Sequence, residues 1–158
     1  MSKPVTPEQI KVITRNRRAH QRFSILESFE AGISLRGHEV KSLRAGQVSI
    51  EEGVVRIEKG EIFLFNLHIP AYSHLSHVEY QPTRTRKLLM HSQEIHRLSG
   101  EVQAKGLTLV PLELYFKKGI VKVSIGLAKG KKSADRREEI IKRELERSVR
   151  RNFSTRLR

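Results

Sequence analysis

The chain has 158 residues, with 31 Lys or Arg against 17 Asp or Glu, a formal charge of +14 and a pI near 10.5. With no Cys it has no disulfide framework, thiol nucleophile or Cys-ligated zinc, and no run approaches the ~18 apolar residues of a membrane span. No charged-then-apolar signal segment opens it, so a cytoplasmic protein that meets phosphate polymers is expected.

Residues 1–18 read as a basic N-terminal arm. Thr6-Pro7-Glu8-Gln9 fits either a helix start, with Thr as N-cap and Pro at N1, or a frayed terminus. Asn16-Arg17-Arg18 leads from it into a first long strand, Phe23–Leu35, whose phase change suggests a bulge near Ala31-Gly32. Glu39–Gly46 has the pattern of a short helix, with Val40 and Leu43 on one face and Gly46 as its stop. Two strands, Val54–Ile57 and Ile62–Ile69, flank the hairpin signal Glu58-Lys59-Gly60-Glu61. In the second, Phe63, Phe65, Leu67 and Ile69 share one face and Ile62 and Leu64 the other.

Pro70–Pro82 reads as a loop, and Thr83–Lys87 is a second basic cluster running into Leu88-Leu89-Met90. Ser92 is placed to cap a helix reaching Lys105, with Ile95, Leu98 and Val102 buried and Gly106 closing it. Leu107–Phe116 alternates in two opposite phases that switch at Val110-Pro111, where one bulge explains both the switch and the proline. Lys117-Lys118-Gly119 turns into a strand with Val121, Val123, Ile125 and Leu127 inward and Lys122 outward. Five or six strands, mostly sequential neighbours, predict a mainly β body over 19–128. Its leading form is an oligonucleotide-binding-like closed antiparallel barrel with two to three short helices; a split α+β sandwich is second.

Residues 129–158 form a basic C-terminal tail carrying 12 Lys or Arg against five acids, a net +7. Ile141, Leu145, Val149, Phe153 and Leu157 recur every fourth residue, so a helix here carries one narrow apolar stripe in a cationic coat. Asp135 and Glu138 stand at the spacing of N-cap and N3. Such a segment needs a partner to order it, and the partner is expected to be a polyanion.

Catalytic motifs fail on inspection. Gly126–Ser133 resembles a phosphate loop, but only three residues separate its glycines and Lys132 follows Lys131. Gly126 and Gly130 are expected instead to let the chain leave the barrel. The histidines lack ligand spacing, and Asp135 is the only Asp among the 17 acids, which opposes both a catalytic triad and a two-metal carboxylate cluster. No catalytic residue, metal or cofactor is expected. The basic clusters at 16–18, 84–87 and 117–122 together suggest a phosphate-tracking face. Six Phe, three Tyr and no Trp leave few rings for stacking, which favours a folded RNA over a threaded single strand.

Five blocks, Asn16–Ala19, Phe29–Gly32, Gly37-His38-Glu39-Val40-Lys41-Ser42-Leu43-Arg44-Ala45-Gly46, Pro82–Leu89 and Gly126–Lys132, stand in an order and spacing that resemble the SmpB family. That family partners transfer-messenger RNA (tmRNA, or SsrA RNA). The resemblance implies a barrel that grips the tRNA-like domain of tmRNA. It also implies a tail, loose in solution, that turns helical in the decoding centre and empty messenger channel of a stalled ribosome. The family's RNA-contact positions fall on Asn16, Glu30, Leu89 and Lys122; Arg17, Arg18, Lys41, Arg84, Arg86 and Lys87 complete the expected RNA-binding set. Its tail motif covers Lys129, Gly130, Lys131, Lys132, Asp135, Arg136 and Arg137, and Ala134 stands where the family often has a ring-bearing residue. Elongation factor Tu, reached through the tmRNA complex, and a monomeric state are implied as well. The alternative reading is a constitutive ribosomal or tRNA-binding protein whose tail threads into rRNA.

Overall fold

The computed structural model describes residues 9–72, 79–131 and 133–156. Their elements, in order, are β1 (Ile10–Arg15), α1 (Arg17–Arg22), β2 (Phe23–Ile33), α2 (Gly37–Arg44), β3 (Val54–Glu58), β4 (Glu61–Phe65), β5 (Arg86–Leu89), α3 (Ser92–Lys105), β6 (Thr108–Lys117), β7 (Ile120–Gly130) and α4 (Ser133–Arg156). All strand pairs are antiparallel, in the order β1-β6-β3-β4-β5-β2-β7, and β7 pairs with β6 again. That last pairing closes six strands into a barrel, as expected. β1 lies outside the ring, against β6.

β6 shares one of its edges between two partners. Its second half, Glu113–Lys117, pairs with β1, and Leu109 pairs with Val55 of β3. The register of β6 against β7 shifts between Pro111 and Glu113, so the phase switch expected at Val110-Pro111 is a real bulge. Leu112, the extra residue, leaves the main core for a small second one with Ala19, Val110 and Ala128. The main core fills the barrel with Ile62, Leu64, Leu67, Leu114, Val123 and Ile125, all fully buried, and α3 closes it through Ile95 and Leu98.

Several local expectations change. Thr6 to Glu8 lie outside the described residues, and Ile10–Arg15 is a sheet strand, so the described part of the expected arm belongs to the body. Arg17–Arg22 is a helical turn and a half where a simple run into a strand was expected; Asn16 caps it by accepting from Ala19 N–H at 3.1 Å. The β2 bulge falls between Ile25 and Glu27, not near Gly32, and it turns Leu26 outward. Ile62 and Leu64 share the core with Leu67 and Ile69 because the chain changes phase at Asn66, which has φ +60. Ser92 is the first residue of α3, not its cap, while Gly106 ends that helix in the left-handed region at φ +62 as expected. Lys59 and Gly60, at φ +51 and +76, make the expected tight hairpin turn.

The expected tail boundary moves as well. Lys129 and Gly130 are still strand, paired with Ser24 and Phe23. Gly126 does not release the chain. It sits inside β7, where an added Cβ would meet the Leu112 methyls at 3.1 Å, so it makes room for the bulge.

Candidate nucleic-acid interface

The strongest polar feature of the body is inside it. Arg86 and Glu39 are both fully buried. Arg86 donates to Glu39 Oε2 from Nε at 2.8 Å and from Nη2 at 2.6 Å. Its remaining protons reach the carbonyls of Leu67 at 2.6 Å, Pro82 at 3.0 Å and Arg84 at 3.1 Å. Arg84 and the Arg36 backbone N–H satisfy Glu39 Oε1, while Tyr80 donates to Oε2 at 3.2 Å. Burial pushes the Glu39 carboxyl up, but the hydrogen bonds from Arg84, Arg36 and Arg86 outweigh it and hold the carboxyl down at about 2. His38 packs edge-on against the Tyr80 ring at 4.7 Å.

This network pins the first turn of α2, the strand β5 and the segment before it to one another. The sequence expectation for Arg86 is thereby corrected: a guanidinium with no exposed surface and its donors spent on the protein cannot touch RNA. Arg84 is mostly engaged in the same way, with a side chain 22 % exposed.

Asn16 is corrected on the same ground. It is buried, and its amide donates to Pro111 O at 2.8 Å and lies 3.5 Å from Ile50 O, while its oxygen caps α1. Its backbone N–H reaches Leu112 O at 2.7 Å. Asn16 therefore fastens the point where β6 passes from β3 to β1. It positions Arg17 and Arg18 and is not itself presented to solvent.

The remaining expected residues lie at the surface. Arg17 is exposed. Arg18 pairs with Glu51 at 3.2 Å and Glu52 at 2.5 Å, and Lys87 with Glu61 at 3.1 Å. Such exposed pairs are weak and exchange readily for phosphate. Lys41 lies over the Tyr72 ring at 5.5 Å.

Three of the resemblance-derived residues, far apart in sequence, come together. Gly32 of β2 pairs with Leu89 of β5 on one side and with Lys122 of β7 on the other. Glu30, Leu89 and Lys122 thereby line one open groove of about 480 Å³, together with Gly32, Met90, His91 and Glu94. Leu89 is 55 % exposed although it is a large aliphatic residue in a strand. An added Cβ at Gly32 would stand 3.2 Å from Leu89 Cβ, so the glycine lets Leu89 lie flat across the groove. Glu30 accepts from the Tyr115 hydroxyl and from Lys117 Nζ at 3.2 and 3.3 Å. Burial pushes the Glu30 carboxyl up; Tyr115, Lys117 and the charge of Lys122 outweigh it and leave it below its ordinary value. Tyr115 escaped the sequence reading, and Lys117, expected there as part of a phosphate-tracking cluster, is instead bound to Glu30. The signal available was the alternation of Glu113, Tyr115 and Lys117 along one outer face of β6.

Lys131 leaves β7 with its N–H on Arg22 O at 2.9 Å and its ammonium on His20 O at 3.0 Å and on Glu139. That contact ties α4 to the end of α1. Beyond it Ile141, Leu145 and Val149 are 56, 61 and 67 % exposed, so this part of the apolar stripe has no cover among the described residues. Asp135 falls inside the first turn of α4 instead of capping it; Arg136 and Arg137 continue the helix, and Arg137 is exposed. Lys132 and Leu157 lie outside the described residues, as do His74 and His77. Among the described residues no cluster of His, Asp or Glu could hold a metal ion, and no helix is long and apolar enough to cross a membrane.

Fold, groove and charge define the class: a small closed β-barrel with basic residues on its outer face and an attached cationic helix. The family model described as SmpB protein matches residues 13–155. An SsrA-binding protein of Pelotomaculum thermopropionicum is 50 % identical over 149 residues, covering 94 % of this chain and 97 % of that protein. One from Caldicellulosiruptor bescii is 47 % identical over 158 residues, the full length of both. A solved chain from "tmRNA-SmpB: a journey to the center of the bacterial ribosome" superposes with a TM-score of 0.65 at 49 % identity, covering 80 % of this chain and 93 % of that one. The chain belongs to the SmpB family.

Proposed function

We propose that this protein is an RNA-binding factor of trans-translation: it binds the tRNA-like domain of tmRNA and delivers it to stalled ribosomes. The observation that carries this is the near full-length identity to SsrA-binding proteins. The groove supports it. Lys122 supplies charge for a phosphate, Leu89 offers an apolar platform for a base or ribose, and Glu30 offers an oriented acceptor. Arg17, Arg18, Lys41 and Lys87 offer exposed charge for the RNA backbone, and Asn16, Arg84 and Arg86 hold the framework they stand on.

α4 is the second half of the device. Its uncovered stripe and basic coat find their partner in the decoding centre and the empty messenger channel. Lys129, Gly130, Lys131, Lys132, Asp135, Arg136 and Arg137 lead into that channel, and messenger RNA lying in it excludes the helix physically. Cytoplasmic location, a monomeric state and contact with elongation factor Tu through the RNA belong to the same reading.

The test is twofold. The protein recovered from bacterial cells is expected to carry one dominant RNA of tmRNA size. A chain ended after Lys131 is expected to bind that RNA as the full chain does and to fail in rescuing ribosomes on a message without a stop codon. Recovery in fixed stoichiometry with ribosomal subunits, without tmRNA, would overturn the proposal.

A further inference from the structure

An ionised carboxylate is out of place on a surface that meets RNA, because it repels phosphate. Glu30 is nevertheless kept on the groove by two side chains of the neighbouring strand β6. Tyr115 is 6 % exposed and directs its hydroxyl to Glu30 Oε2, so its ring is unavailable for stacking. Lys117 binds both carboxylate oxygens, which removes it from the set of free phosphate partners. Neither residue is where a plain phosphate-binding surface would use it.

An ionised carboxylate only accepts hydrogen bonds, with about two sites per oxygen. Tyr115 and Lys117 occupy both sites on Oε2 and one on Oε1. One acceptor site on Oε1 is left, beside the groove that Leu89 and Lys122 line. We infer that Tyr115 and Lys117 are positioning residues that hold Glu30 to accept a hydrogen bond from a donor on the RNA, either a ribose 2′-OH or a base N–H. This rests on the reading of the groove as an RNA site. The charged and titratable groups around Glu30 are Tyr115 and Lys117 on β6, Lys122 on β7, and His91 and Glu94 in the same groove.

The experiment measures dissociation constants of the full chain for a transcript of the tRNA-like domain between pH 5.0 and 7.5. Glu30→Gln, Tyr115→Phe and Lys117→Met are compared, with the last two also placed in the Glu30→Gln background. At pH 7.5 Tyr115→Phe and Lys117→Met are each expected to weaken binding about five- to tenfold, the size of one ordinary net hydrogen bond, because each leaves the other partner to hold Glu30. The loss is expected to grow toward pH 5, because each variant removes one of the groups that oppose the effect of burial on the Glu30 carboxyl, while the wild type keeps all of them. In the Glu30→Gln background neither change adds anything and the extra pH dependence vanishes, which assigns that dependence to Glu30. Lys117→Arg keeps the affinity.

Single 2′-deoxy substitutions along the RNA separate the donors. One position matching the Glu30→Gln loss identifies a ribose, and a matching loss only with a base analogue lacking the N–H identifies a base. Wild-type affinity in Glu30→Gln, or in both Tyr115→Phe and Lys117→Met at every pH, would overturn the inference. Failure of the wild type to bind the transcript would instead overturn the proposed function.

Discussion

Arg86→Met separates the two roles an arginine in a basic cluster can have. The substitution keeps the length of the side chain but removes donors that serve Glu39, Leu67 O, Pro82 O and Arg84 O inside the protein. Glu39 keeps Arg84 and the Arg36 N–H, yet it loses its only fully buried cation. Breaking one side of a buried ion pair costs about 3–5 kcal/mol, since the abandoned charge stays desolvated. For a body of this size that corresponds to a fall in Tm of about 12–20 °C, at roughly 4 °C per kcal/mol. Circular dichroism melts at pH 7 read the stability. RNA binding is then measured well below the lowered Tm, across a salt series.

The affinity and its salt slope are expected to match the wild type, because Arg86 contributes no phosphate contact. The opposite pattern would refute the reasoning: an unchanged Tm, with a binding slope shallower by about one counterion. Replacing Glu39 and Arg86 together, by Gln and Met, is expected to recover part of the lost stability. The pair is costly to break, not to lack.

Three further outcomes follow from the same structure. Glu39 titrates at about 2 in the fold against 4.5 outside it, so it stabilises the protein above pH 4.5. That contribution is expected to disappear as pH falls from about 4.5 toward 2, and Glu39→Gln to remove this component of the acid transition in pH-dependent melts. Gly32→Val is expected to tilt Leu89 off the groove floor and weaken RNA binding about tenfold with a small change in Tm, as read by paired binding and melting measurements. Asn16→Ala is expected to cost about 1–3 kcal/mol in urea unfolding, from an unpaired Pro111 carbonyl and a lost helix cap, with RNA affinity unchanged below the transition.

The barrel was legible in the sequence wherever alternation was strict. Val121–Leu127 and the two phases of Leu107–Phe116 gave β7, β6 and the bulge in β6, because side chains that alternate in or out of a core leave a period of two. The hairpin at Lys59-Gly60 and the end of α3 at Gly106 were legible through backbone conformations that favour particular residues. β1 was not legible. Ile10, Val12 and Thr14 alternate, but three residues with a half-exposed face resemble any terminus until β6, about a hundred positions later, supplies the pairing.

Basic residues misled most. Arg86 and Lys87 stand side by side in sequence, and a strand sends one into the core and the other into solvent; only the location of Glu39 decides which. In the groove, Glu30 and Leu89 were indicated by family resemblance alone, and Lys122 by resemblance and by its basic cluster. What holds them, Tyr115, Lys117 and Gly32, depends on cross-strand register, which a linear reading does not contain.

The seam between β2 and β7 is formed by residues roughly a hundred positions apart, ending with Phe23 opposite Gly130. Closure of the ring therefore waits for nearly the whole body to be synthesised, and loop entropy makes such distant pairing slow. A nascent chain lost before Ile120 lacks β7, the strand that joins β2 to β6, and leaves two open sheet edges. A chain lost just after Lys131 keeps a complete ring. Errors in the protein's own synthesis thus divide at β7: on one side an unclosed sheet, on the other a closed barrel without its cationic helix.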